Sequence, residues 1–71
     1  MNKVLILGTG FGQLPLINAC KEMNIETVGF DRNSDSIGAG LVDKFYNIDI
    51  IESAEICKIA KQEGVDGAVT M

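Results

Sequence analysis

Three glycines on alternate positions, Gly8, Gly10 and Gly12, follow a short apolar run and precede Gln13, Leu14 and the chain's single proline, Pro15. A glycine turn between a strand and a helix brings bare backbone to a ligand. The first N–H groups of the helix lack intrahelical partners and its dipole is positive there, so an anionic or carbonyl oxygen suits the place. A dinucleotide fingerprint asks for more: glycines for the turn, for the pyrophosphate and for close helix packing, then an acid about twenty positions on. Asp31 supplies the acid, but the glycines match in part only. A frame opened at Gly8 puts Gln13 in the third place, and one opened at Gly10 puts Pro15 there. The purely structural alternative is that the three glycines let a strand turn sharply into a helix.

The residues around the glycines carry open alternatives. An amide side chain has no evident part in making such a turn, so Gln13 either hydrogen-bonds a small substrate or faces solvent. Phe11 either stacks on a ligand or folds under a neighbouring domain. Asp31 is a ribose acceptor, a substrate contact, or the first residue of a turn with Arg32 and Asn33. Arg32 directly after it complicates any simple preference for NAD over NADP.

Other chemistries are poorly supplied. The chain has no histidine, which removes the usual general base near neutral pH and the commonest metal ligand. Cys20 and Cys57 stand far apart without CxxC spacing, so they read as reduced thiols packed on helices, not as a zinc or redox pair. No catalytic residue and no metal ligand is assigned. A net charge of −4 argues against nucleic-acid binding, which draws its affinity from lysine and arginine on phosphates. No stretch has the length of a membrane span or the form of a signal peptide, so a cytoplasmic location is expected.

The elements that position the glycines follow from hydrophobic periodicity. Lys3 to Leu7 is a continuous apolar run too short for a helix, as in a strand buried on both faces. Pro15 suits a first helical turn, and Leu16, Ile17, Cys20 and Met23 recur at helical spacing to a stop near Asn24. Ile25 to Phe30 returns to strand character. Arg32 to Val42 reads as a loop, with at most a short helix over 37–41. Phe45 to Ile50 is a third strand. Asp49 with Glu52, or Ser53 alone, caps a helix whose apolar side holds Ile56, Cys57, Ile59 and Ala60 and whose stop is Gly64. Asp66 to Met71 begins a fourth strand.

Strands alternating with helices predict an α/β fold: a three-layer, Rossmann-like parallel sheet of order 3-2-1-4 with right-handed crossovers. The ligand crevice then lies outside the carboxyl ends of strands one and four, beside the glycine loop. At 71 residues the chain is a single small domain, and with 46% hydrophobic residues it is globular. Residues 1–71 look like the front fragment of a larger protein, truncated after the fourth strand. An uncovered sheet edge of that kind predicts low stability or self-association.

The stretch KVLILGTGFGQLPLINACKEMNIETVGFDRNSDSIGAGLVDKFYNIDI resembles the N-terminal pre-ATP-grasp domain of the ATP-grasp ligase superfamily, nearest to carbamoyl-phosphate-synthase-like and ATP-dependent carboxylase members. The features are a strand, Gly-x-Gly with Gln13-Leu14 opening the helix, and VGFDRNSDS, a strand ending in Asp before a polar turn. LVDKFYNIDI and IAKQEGVDGAVTM resemble the family's following segments. Pro15 departs from the glycine of many carboxylase relatives, and Ile37-Gly38 replaces a proline-containing turn.

The resemblance implies that ATP and magnesium bind outside these residues, between later domains that activate a carboxylate as an acylphosphate. It implies Gly10, Phe11, Gly12, Gln13, Leu14 and Asp31 as substrate-side contacts. The expected partners are a small carboxylate or amine substrate, the C-terminal ATP-grasp domains of the parent chain, and further copies in a homo-oligomer. The fragment alone would be inactive. Two other readings stay open: an NAD(P)-binding module of a dehydrogenase or regulatory protein, and a ligand-free interaction domain.

Overall fold

The computed structural model describes residues 2–69. Along the chain run β1 (Lys3–Leu7), a single 3-10 turn (Phe11–Gln13), α1 (Leu14–Glu22), β2 (Glu26–Phe30), β3 (Lys44–Tyr46), α2 (Ser53–Glu63) and β4 (Gly67–Val69). All strand pairs are parallel and the sheet order is β3-β2-β1-β4, the expected one.

That order reverses direction after β3, and a right-handed crossover then carries α2 to the face opposite α1. The strand register shows both layers. Leu5 stands beside Val28, Leu7 beside Phe30 and Phe30 beside Tyr46, so these side chains share one face. On that face Leu5, Val28 and Phe30 form a core with Ile56 and Ile59 of α2, edged by Leu7, Tyr46, Ile48, Ala60 and Val65. The Phe30 and Tyr46 rings stack with centroids 5.3 Å apart. The other face carries buried Ile6, Thr27 and Gly29, and α1 contributes buried Ile17 and Cys20. Each fully buried Ile or Phe stabilises the fold by roughly 1.5–3 kcal/mol, so both helices are held by burial more than by helix propensity.

Gly64 ends α2 as expected, with a left-handed φ of 68° and its N–H on the Ala60 carbonyl at 3.0 Å. The segment from Arg32 to Val42 is a succession of turns, with N–H bonds from Ser36 to Asn33, Ala39 to Ser36 and Leu41 to Gly38.

Four expectations are corrected. The third strand is not Phe45 to Ile50 but Lys44–Tyr46, because the Ile48 N–H folds back to the Tyr46 carbonyl and the Asn47 amide donates to the Asp31 and Arg32 carbonyls. The helix α2 has no side-chain cap: Glu52 sits at the N-cap position without a capping bond, and the Asp49 carboxylate instead accepts from the Ile51 N–H at 3.1 Å. Cys57 is exposed, not packed, because α2 covers the sheet with a narrow stripe centred on Ile56 and Ile59. Met23, assigned to the apolar stripe of α1, is exposed as well, just past the helix end. Of the fourth strand, Thr70 and Met71 lie outside the described residues.

Candidate functional site

The glycine loop leaves the carboxyl end of β1 at the centre of the sheet. The Gly8 N–H extends the ladder to the Phe30 carbonyl at 2.7 Å, and Gly8 then turns with φ +91°, a conformation that excludes other residues without strain. Thr9 is fully buried, and the Gln13 N–H returns to the Gly10 carbonyl at 3.0 Å to close the 3-10 turn ahead of α1.

Gly10 and Gly12 differ from Gly8. Neither has a positive φ, and a Cβ built on either would meet nothing within 4 Å. The turn itself therefore explains one glycine of the three. The other two leave the backbone bare toward open space at the start of a nine-residue helix.

Gln13 does not face solvent, one of the two alternatives open for it. Its side chain is buried at 8% exposure, and its Nε2 donates to the Leu7 carbonyl at 3.2 Å, bracing the strand end against the helix start. The amide thus does take part in making the turn. Its Oε1 is buried and has no hydrogen-bond partner among the described residues. Phe11 is 77% exposed at the loop tip and Leu14 is half-buried.

Asp31, at the end of β2, binds the loop from the side. Its Oδ2 accepts from the Thr9 N–H at 2.9 Å and from the Thr9 hydroxyl at 3.3 Å, while its Oδ1 accepts from the Asn33 N–H at 2.9 Å. Burial pushes the carboxyl up, but the Thr9 and Asn33 N–H bonds and the Thr9 hydroxyl outweigh it and hold Asp31 below the usual carboxylate range. The turn with Asn33 is therefore real, and the carboxylate reaches the glycine loop in addition.

Gly8, Asp31 and Arg32 line a cleft of about 330 Å³ with Asp49, Ile50 and Ile51. It opens at the carboxyl end of the sheet as expected, but over β1, β2 and the loop after β3, not between β1 and β4. Asp31 is the one predicted contact in its lining; Gly10, Phe11, Gly12, Gln13 and Leu14 lie outside that set. Sequence reasoning missed Asp49, Ile50 and Ile51 here because it placed Asp49 and Ile50 at the end of a strand, used Asp49 as a helix cap, and gave Ile51 no role. A polar-apolar break at Asn47 was the available signal. A second hollow, lined by Lys21, Asn24, Ile25, Glu26 and Asp43, lies at the opposite ends of the strands.

Among the described residues no group of three His, Cys, Asp or Glu side chains could hold a metal ion, and no helix is long and apolar enough to cross a membrane. The chemistry on offer is binding: free backbone N–H groups, a cleft and one exposed guanidinium.

Fold and site together define a Rossmann-like domain with a glycine loop at the carboxyl end of its first strand. A scan against protein-family models and a search of curated proteins found no match. Among solved structures, the chain is similar to phosphoribosylglycinamide synthetase from Anaerococcus prevotii, at 36% identity and a TM-score of 0.81 over 97% of its length. It spans 18% of that protein. The chain therefore has the fold and the sequence character of the N-terminal domain of an ATP-grasp ligase, as the resemblance implies.

Proposed function

We propose that the chain is the substrate-side domain of an ATP-dependent ligase, in which the glycine loop holds the acceptor while other domains of the parent protein bind ATP and magnesium and form the acylphosphate. The observation that carries this is the bareness of Gly10 and Gly12, two glycines the turn does not require, placed in the 3-10 turn that leads into α1, whose dipole is positive at that end. Gly10, Phe11, Gly12, Gln13 and Leu14 are the acceptor-side contacts, and Asp31 supports them.

The acceptor class follows from the same geometry. A helix N-terminus with bare backbone suits a phosphate, and the similar protein is named for a product, phosphoribosylglycinamide, that carries one. Carbamoyl-phosphate-synthase-like chemistry shares the acylphosphate step and is the second branch of this reading. On either branch our reading is of a parent protein that takes a small carboxylate or amine, in the cytoplasm, as a homo-oligomer. The domain contributes no catalytic group of its own.

The dinucleotide alternative is disfavoured by Asp31, whose carboxylate oxygens already accept bonds from Thr9 and Asn33.

The test is a titration of the isotope-labelled intact protein with ribose phosphate and, separately, with NAD. Amide shifts at residues 10–13 with ribose phosphate are expected, and no tighter response to NAD. Tight NAD binding centred on Gly8 and Asp31 transfers the site to the dinucleotide reading.

A further inference from the structure

We propose that Asp31 is a positioning residue, an internal latch that fixes the Thr9 peptide and so aims the N–H groups of residues 10–12, and that it is not itself a group offered to a ligand. The inference rests on the preceding reading in one respect, that the glycine loop has a ligand to hold.

Thr9 is the point at which the glycine loop is tied down, and every tie comes from the β2 end or the loop after it. The Asp31 carboxylate takes its N–H and hydroxyl, the Gly38 N–H donates to its carbonyl at 2.8 Å, and its Oγ1 lies 2.5 Å from the Ser36 Oγ. Gly29 and Gly38 crowd the same residue: a Cβ on Gly29 would fall 2.8 Å from the Thr9 Cγ2, and one on Gly38 2.5 Å from its carbonyl oxygen. Beyond Thr9 this crowding stops, since nothing lies within 4 Å of the Cβ positions of Gly10 and Gly12, and the 3-10 turn closed by the Gln13 N–H on the Gly10 carbonyl carries the backbone on into α1. The direction of the loop's free N–H groups is therefore set one residue earlier, at Thr9.

Oδ2 of Asp31 accepts two bonds from Thr9 and Oδ1 one from Asn33, so of the roughly four lone-pair sites of a carboxylate about one is left, on Oδ1. A ribose diol that engages both oxygens would have to displace a Thr9 bond from Oδ2, whereas a single hydroxyl would not.

The groups that face Asp31 are few. Neutral Thr9 and Asn33 face it from the glycine loop and the loop after β2, with Ser36 behind the Thr9 hydroxyl. Arg32 adjoins it on its own segment, and Asp49 comes from the loop after β3, its Oδ2 3.9 Å from the Arg32 Nη1. The protonation of Asp31 should accordingly be read directly by the Thr9 amide.

The experiment is hydrogen exchange by NMR on the intact protein and on Asp31→Asn, with protection factors taken for Thr9, Gly38 and the β2 amides Val28 and Phe30. In Asp31→Asn the protection of Thr9 and Gly38 should fall roughly tenfold or more, as expected for loss of a charge-assisted bond, with Val28 and Phe30 unchanged. The unsubstituted protein should show the same loss as pH falls below the usual carboxylate range, and the variant should show no such step. If Asp31→Asn does not fold, that pH profile decides the matter without a substitution. Equal loss at all four amides means a merely structural residue and overturns the proposal. Unchanged Thr9 protection in the variant, with Asp31 carboxyl shifts on adding ribose phosphate, makes it a ligand contact and also overturns it. These readouts need no ligand to show the latch, so absence of any response of residues 10–13 to ribose phosphate would count against the preceding reading alone.

Discussion

The Gly38 N–H meets the Thr9 carbonyl at 2.8 Å, and the approach is so close that a Cβ on Gly38 would stand 2.5 Å from the same oxygen and 2.9 Å from the Ile17 Cδ1. Backbone oxygen cannot give way as a flexible side chain can. Gly38→Ala should therefore destabilise the protein by about 1–3 kcal/mol, as overpacking does, and should loosen the glycine loop that Thr9 anchors. Urea unfolding measures the first effect; an unchanged midpoint would refute the close packing.

The three loop glycines should separate by their roles. Gly8→Ala forces a side chain into φ +91° and should cost about 1–3 kcal/mol. Gly10→Ala and Gly12→Ala should leave stability unchanged or raise it by about 0.4–1 kcal/mol, through the less flexible unfolded chain. In the ligase proposed above as the parent protein, the latter two should nonetheless raise KM for the acceptor and spare KM for ATP. Steady-state kinetics beside thermal unfolding distinguishes the two classes.

Stability should fall in acid through Glu63. The Tyr46 hydroxyl donates to its carboxylate, Lys44 lies at 3.1 Å and Lys3 at 3.5 Å, and its side chain is only 8% exposed. The Tyr46 bond first, then the Lys44 bond, hold the Glu63 carboxyl below its ordinary range against burial. A value lowered on folding means stability present above the ordinary glutamate value of about 4.3 and lost as pH falls beneath it. The Tyr46 hydroxyl, raised chiefly by the same bond, adds a loss on the alkaline side as pH climbs past the ordinary tyrosine value of about 10. Tyr46→Phe should shrink both losses, as denaturant midpoints taken across pH would record.

One cysteine of the two should react in the native protein. Cys57 is exposed on α2 and Cys20 is buried beneath α1. A thiol reagent should label one site natively and both in denaturant, with Cys57→Ser abolishing the fast phase. Equal native rates would contradict the packing of α1.

The amino-acid sequence on its own determined the order of elements and the sheet topology. The apolar run at Lys3 to Leu7, the helical spacing of Leu16, Ile17 and Cys20, and Gly64 as a stop are local signals; the 3-2-1-4 order is the doubly wound arrangement expected of that alternation, and the crossover rule gives its hand. It also placed the glycine loop at the carboxyl end of the first strand. Only the tertiary structure decided what each side chain near that loop does. Nothing local distinguishes Gly8 from Gly10 and Gly12; the difference lies in φ, positive at Gly8 alone of the three. Gln13 turns inward because the Leu7 carbonyl needs a donor, and Asp31 is engaged by Thr9, 22 residues earlier in the chain. The third strand stops at Tyr46 because Asn47 finds the carbonyls of Asp31 and Arg32. Local propensity is carried by the residues in order. Hydrogen bonds between segments distant in sequence form only where the sheet brings them together, and at this site those bonds set the aim of the loop.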